Sequence, residues 1–207
     1  MKYFFPLSVL GFAIILFLSC TNNSSLKYPD KDDWFQYDYI TYEEQKYKTI
    51  KIGEQVWMAE NLNKEADSSK CYDGKTINCG KYGRLYNWET ARNICPDGWH
   101  LPSNDEWKTL IAVVGSPSGT RLKADSVWNE DYNNGTNAVG FAALPGGRSD
   151  STFYGLGDYG VWWTSVEDNQ PNTYAYTWSI NYDNKEASGG SNPKSNLYSV
   201  RCVEGED

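Results

Sequence analysis

Behind Lys2 lies an apolar run from Tyr3 to Leu18, which ends at Ser19 and Cys20; from Thr21 to about Asp33 the chain is polar with no hydrophobic period. The first stretch reads as a secretory leader and the second as a tether. "WFQYDYITYEEQKYK", Trp34 to Lys48, mixes aromatic and charged residues without a clean repeat and reads as an irregular extension packed on the domain. At "YKTIKIGEQVWMAENL" two short runs of β-branched and aromatic residues flank Gly53-Glu54. Glycine first in a two-residue loop predicts a type II′ hairpin. The folded domain is therefore placed at 46–207 and the linker and extension at 20–45.

Two helices follow in the pattern. In "YGRLYNWETARNIC", Leu85, Trp88, Ala91 or Arg92, and Cys95 recur at helical spacing before Pro96, which predicts a helix with Cys95 at its end. In the next run Ser103 and Glu106 form a capping box, Trp107, Leu110, Ile111 and Val114 make an i, i+3, i+4, i+7 stripe, and Gly115 ends it. Between them "NICPDGWHLPSNDEW" reads as a structural corner: Pro96 and Gly98 turn the chain, and Leu101 with Trp107 clamps the helix start. The second half consists of Gly-, Asn-, Asp- and Ser-rich connections between short aromatic strands. Its clearest strand is "TYAYTWSINYD", and "LYSVRCV" puts Cys202 on the last one. No internal repeat is visible.

The leader sets the compartment. A spanning helix needs about 20 apolar residues, whereas this run is shorter, holds Pro6 and stops at a small residue before cysteine. Residues 1–19 are read as a signal peptide and Cys20 as a lipidated first residue. "FLSC" resembles a bacterial lipobox with Phe17 where leucine is usual. The domain then sits in the bacterial cell envelope, on the outer membrane or cell surface, reaching membrane only through its lipid, and its thiols can oxidise. Setting Cys20 aside leaves Cys71, Cys79, Cys95 and Cys202, an even set that suits two disulfides in any of three connectivities. A net charge of -8 argues against nucleic acid and anionic lipid as partners.

Candidate chemistry is sparse. No C-x-x-C pair occurs and a single histidine cannot complete a Cys/His zinc site, so no metal is assigned to these cysteines. His100 has no assignable nucleophile and reads as a hydrogen-bonded structural residue. Asn129, Glu130, Asp131, Asn133 and Asn134 supply hard oxygens that suit calcium, but without the alternating register of a calcium loop. A carboxylate pair for glycoside hydrolysis is not singled out. Nine tryptophans and sixteen tyrosines leave aromatic rings as the best binding material, since sugars stack on exposed Trp and Tyr. Adjacent strand residues face opposite ways, so Trp162 and Trp163 cannot share one core. One of them is expected to be exposed or to sit under a loop, and together with Tyr154, Tyr159 and Tyr174 to form a ligand surface.

The ordered blocks "IKIGEQVWMAENL", "GRLYNWETA", "CPDGWHLPSNDEW", "LKADSVW", "GFAALPGG", "VWWTSVED" and "YSVRCV" resemble the Fibrobacter succinogenes major paralogous domain family of secreted and lipid-anchored bacterial proteins, from about Lys46 to Glu204. The resemblance implies a fold similar to C-type lectin-like domains and to formylglycine-generating enzymes, whose "LPTEAEWE"-type segment "LPSNDEW" echoes. It implies no activity. The copper-binding cysteine pair of those enzymes has no counterpart, because Cys202 stands alone after Cys95. The lectin calcium tripeptide is echoed only by "QPN" at 170–172, with no later Trp-Asn-Asp. The expectation is thus one α+β, C-type lectin-like domain with two short helices, small twisted antiparallel sheets and long loops. Cys95 is expected to pair with Cys202, and Cys71 with Cys79. Its expected role is non-catalytic binding of polysaccharide or an envelope protein, without cofactor. The alternatives are a carbohydrate-active hydrolase or a structural envelope protein without ligand.

Overall fold

The computed structural model describes residues 35–129, 135–169 and 172–206. Its first half runs β1 (Asp38–Tyr42), β2 (Gln45–Ile52), β3 (Gln55–Met58), β4 (Ser69–Lys70), a 3-10 turn (Tyr72–Gly74), α1 (Thr76–Tyr82), β5 (Leu85–Tyr86) and α2 (Trp88–Ala91). Next come β6 (Trp99–His100), α3 (Asn104–Val114), α4 (Ser118–Leu122), β7 (Arg148–Ser149), β8 (Phe153–Tyr154) and β9 (Tyr159–Asp168). The chain closes with β10 (Tyr174–Asn181), β11 (Ser188–Pro193), β12 (Tyr198–Ser199) and β13 (Val203–Glu204). The architecture is mixed α+β and mostly β.

Three sheets carry these strands, in the orders β1-β2-β3-β13-β6, β11-β10-β9-β12-β5-β4 and β7-β8. All pairs are antiparallel except β12 beside β9. The expected hairpin forms, with Ile52 opposite Gln55 and Gly53 at φ 62 in the two-residue loop between β2 and β3. The extension expected to be irregular contains β1, whose five residues pair with β2 from Asp38 opposite Thr49 to Tyr42 opposite Gln45. The last run of the chain divides between sheets: β12 joins the six-stranded sheet, and β13 inserts between β3 and β6. The late strand thereby locks the first hairpin.

Helix α3 matches its expectation in detail. Ser103 Oγ accepts from the Glu106 amide, Glu106 Oε2 accepts from the Ser103 amide at 2.7 Å, and Trp107, Leu110 and Val114 are buried. The first expected helix does not form as drawn. Leu85 and Tyr86 are a strand held between β12 and β4, and only Trp88–Ala91 is helical, begun by Asn87, whose side chain accepts from the Thr90 amide. The apolar residues that suggested a helical stripe divide between strand and short helix, Leu85 in a small cluster with Tyr72 and Leu197, and Trp88 and Ala91 in a core with Tyr86. Helices α1 and α4 add to the two that were expected.

Two aromatic cores lie on the two faces of the β9–β10 layer. One gathers Trp57, Trp107, Phe141, Trp162 and Trp178, with the Trp107 and Trp178 rings stacked at 6.0 Å. The other gathers Tyr86, Trp88, Trp163, Tyr198 and Cys202. Disulfides Cys71–Cys79 and Cys95–Cys202 span 8 and 107 residues of sequence. Inside the first core Arg201 is 0 % exposed. Its guanidinium donates to Asn61 Oδ1 through Nε at 3.3 Å and Nη2 at 3.1 Å, and to the carbonyls of Phe141 and Ala142. Burial pushes its pKa down to about 9, so it remains a cation at neutral pH.

Candidate functional site

Trp162 and Trp163 do face opposite ways, yet both are 0 % exposed. The reason is architectural: β9 lies inside its sheet between β10 and β12, and both faces of that sheet are covered. Trp162 Nε1 donates to Asn61 Oδ1 at 2.9 Å, and Trp163 Nε1 to the Tyr86 carbonyl at 2.8 Å. The expectation that one of the pair meets solvent is corrected, and both belong to the cores. Tyr174 is half-buried at the start of β10, opposite Asp168 and Pro193. That is the far end of the β9–β10 pair from Tyr159, which faces Asn181.

Tyr154 and Tyr159 are brought together, with a residue between them that the sequence did not single out. In the ribbon formed by β7 and β8, Arg148 lies opposite Tyr154, so both project from one face. The Arg148 guanidinium carbon is 4.4 Å from the Tyr154 ring centre and 5.0 Å from that of Tyr159, within cation–π range of each. The Gly147 amide donates to the Tyr159 carbonyl at 2.8 Å, and Ser149 and Leu197 exchange backbone hydrogen bonds of 3.1 and 2.7 Å. These ties fix the ribbon to β9 and to the segment before β12. Gly155, at φ 74, must lack a side chain, because the Tyr159 ring occupies the space that a Cβ would take.

Among the described residues the clamp gives Arg148 no acid as a partner. Its Nε is buried and has no hydrogen-bond partner among the described residues. The nearby acids are engaged elsewhere: Asp150 accepts from the Thr152 amide at 3.2 Å and from Ser151, and Asp158 accepts from Asn129 Nδ2 at 3.1 Å. Hydrogen bonds from the amides of Ser151 and Thr152 hold the Asp150 carboxyl below the usual range. Below the site Tyr198 packs on Trp163, ring centres 4.6 Å apart, and accepts from Asn196 at 2.9 Å; burial pushes its phenol up. Arg148 escaped notice because "GGRSD" carries no periodicity or motif. Its neighbourhood of glycines and tyrosines was the available signal.

Other groups are built into the frame. His100 Nε2 lies 2.8 Å from Glu106 Oε1 and its Nδ1 3.1 Å from the Gly205 carbonyl, tying β6 to the α3 cap and the C-terminal strand. Glu186 accepts from Ser116 Oγ at 2.6 Å and from the amide and Oγ of Ser118; these bonds hold its carboxyl below the usual range. A hollow of about 630 Å³ between Glu89, Thr173 and Lys194 adjoins Lys194, which is already 3.2 Å from Glu167 and lies over Trp88. A hollow of about 580 Å³ is bordered by Phe35, Ile52, Val113 and Val139, and Gln36, Asp38 and Lys51 also line it. Of the residues considered for calcium, only Asn129 is described; Glu130, Asp131, Asn133 and Asn134 lie outside, as do Gln170 and Pro171 of the "QPN" echo. Among the described residues no group of three or more His, Cys, Asp and Glu is placed to hold a metal. No described helix is long and apolar enough to cross a membrane, and residues 1–19 and Cys20 lie outside the described residues.

The chain matches the model of the Fibrobacter succinogenes major domain over residues 50–204, well over half its length, and belongs to that family. No curated protein and no solved structure matches it.

Proposed function

We propose, from the premise of that family membership, that this protein is a lipid-anchored protein of the bacterial cell envelope that binds a polysaccharide without transforming it. The apolar leader and its Ser19-Cys20 junction support export and lipidation. The two disulfides suit an oxidising compartment. We read the architecture as C-type lectin-like: early and late strands share one sheet, disulfides staple the chain, and the Gly-rich second half carries the long connections.

The observation that carries the reading is the clamp of Arg148 between Tyr154 and Tyr159. A half-buried guanidinium, held by two rings and by no carboxylate, is preorganised for a group that the protein does not itself supply. Asp150 and Glu186 have carboxyls held below the usual range. Neither of these two carboxyls is therefore suited to act as a general acid. The test is a glycan array probed with the detergent-solubilised chain, followed by product analysis on every hit. Expected is a polysaccharide that binds, is recovered uncut, and is lost on Tyr154→Ala at unchanged melting temperature. Cleavage of the hit, or binding untouched by Tyr154→Ala, overturns the reading.

A further inference from the structure

We infer that Arg148 receives a carboxylate of the ligand, so that the polysaccharide is an acidic one built from uronate units; this rests on the polysaccharide-binding reading above. A guanidinium is a planar fork of N–H donors that matches a carboxylate edge to edge, with two parallel hydrogen bonds. In this protein the fork is already immobilised. The Tyr154 and Tyr159 rings lie 4.4 and 5.0 Å from its central carbon, so its orientation is set before any ligand arrives. Its Nε is buried out of a ligand's reach, whereas neither Nη is among the buried, unpartnered atoms, so a carboxylate meets the guanidinium end-on at its two Nη groups.

The surroundings support an incoming anion. Asp150, next but one along the chain, turns its carboxylate to the amides of Ser151 and Thr152, and Asp158 is taken by Asn129. The protein thus spends its neighbouring acids on loop structure. The phenol groups of Tyr154 and Tyr159 border the clamp, and hydroxyl donors and acceptors of this kind suit the hydroxyls that flank a uronate carboxylate.

Calorimetric titration of the full, detergent-solubilised chain with oligogalacturonate, its methyl ester and oligo-aspartate tests this. Expected is binding of oligogalacturonate, with about tenfold or greater weakening for the methyl ester and for Arg148→Lys, which keeps the charge but not the fork. Arg148→Gln should abolish it, with melting curves confirming that both variants fold. Equal binding of the ester and the acid, indifferent to Arg148→Lys, overturns the carboxylate inference and leaves polysaccharide binding standing. Equal or tighter binding of oligo-aspartate overturns the polysaccharide reading and assigns the same site to acidic peptides. No binding by any of the three probes overturns the inference, while a neutral glycan hit on the array would still support the reading beneath it.

Discussion

Asn61 shows how much one amide can hold. Its Oδ1 accepts from Trp162 Nε1 and from Arg201 Nε and Nη2, while its Nδ2 donates to the Tyr82 carbonyl at 2.9 Å. Arg201 in turn supplies the donors for the Phe141 and Ala142 carbonyls. Arg201→Met keeps much of the volume but strips these acceptors of their donors. It is expected to cost about 1 to 3 kcal/mol, the range for leaving buried acceptors without donors, read from urea unfolding. Trp162→Ala and Trp163→Ala should each cost about 3 to 5 kcal/mol as cavities in opposite cores; a variant of either that kept wild-type stability would contradict its burial. Glu186 governs the acid side. Its folded pKa is depressed by Ser116 and Ser118, so its contribution is present above the unfolded carboxylate pKa and is lost as pH falls through the folded one. The melting-temperature gap between wild type and Glu186→Gln should therefore be widest near neutrality and close on acidification. In the sequence these residues looked ordinary, because a hub depends on distant partners: Asn61 and Arg201 are 140 positions apart.

Short elements explain where pattern reading succeeded and where it failed. The α3 cap and stripe were legible because Ser103, Glu106, Trp107, Leu110 and Val114 act within a single helix. Leu85 to Cys95 misled because residues at helical spacing there serve two clusters, Leu85 one and Trp88 with Ala91 another: Leu85 and Tyr86 take ladder partners from β12 and β4, and Asn87 restarts the chain as α2. The β9–β10 ladder also shifts register between Ala175 and Thr177, where three residues of β9 oppose Tyr176 alone, while β10 keeps step with β11. Of the expected ligand surface, Tyr154 and Tyr159 meet because β7, β8 and the start of β9 converge, which no local pattern announces. The disulfides act on the same scale. Closing 107 residues by Cys95–Cys202 should stabilise by about 4 to 5 kcal/mol in the chain-entropy model, against about 2 to 3 for Cys71–Cys79. Paired Cys→Ser variants should therefore differ in denaturation midpoint, with the Cys95/Cys202 pair the lower. Equal midpoints would show that strain or residual structure outweighs loop length.

For the whole molecule, the sheet that parts two cores accounts for the aromatic richness: an inner strand covered on both faces needs rings on both, so adjacent tryptophans are a signature of a partition rather than of a binding face. Composition foretold a disulfide-stapled domain, while the depth of each ring depended on how the two layers close. The leader gives a prediction at this scale. Cys20→Ala should move the protein from the detergent phase to the aqueous phase on partitioning, and unchanged partitioning would indicate that the apolar run itself holds the membrane.

If the molecule is anchored as proposed, the position of β1 gives it a mechanical fuse. Among the described residues β1 stands at the rim of its sheet, zipped to β2 by five residue pairs. On the proposed reading, tension between an N-terminal anchor and a bound polymer would enter the domain here, first through Phe35 and Tyr37, which pack on the first core with the Tyr37 hydroxyl donating to the Gly140 carbonyl. It would next meet the pair Asp38–Thr49 at the open end of the hairpin, and the remaining pairs would part in turn. The next strand resists, because β2 is flanked by β3, and β3 by β13. Release of the segment from Asp38 to the hairpin turn yields on the order of 20 Å of slack. A pulling trace on the single molecule should show that small early step before the domain itself gives way, so that a sudden tug is absorbed at the edge while the gripping surface keeps its shape.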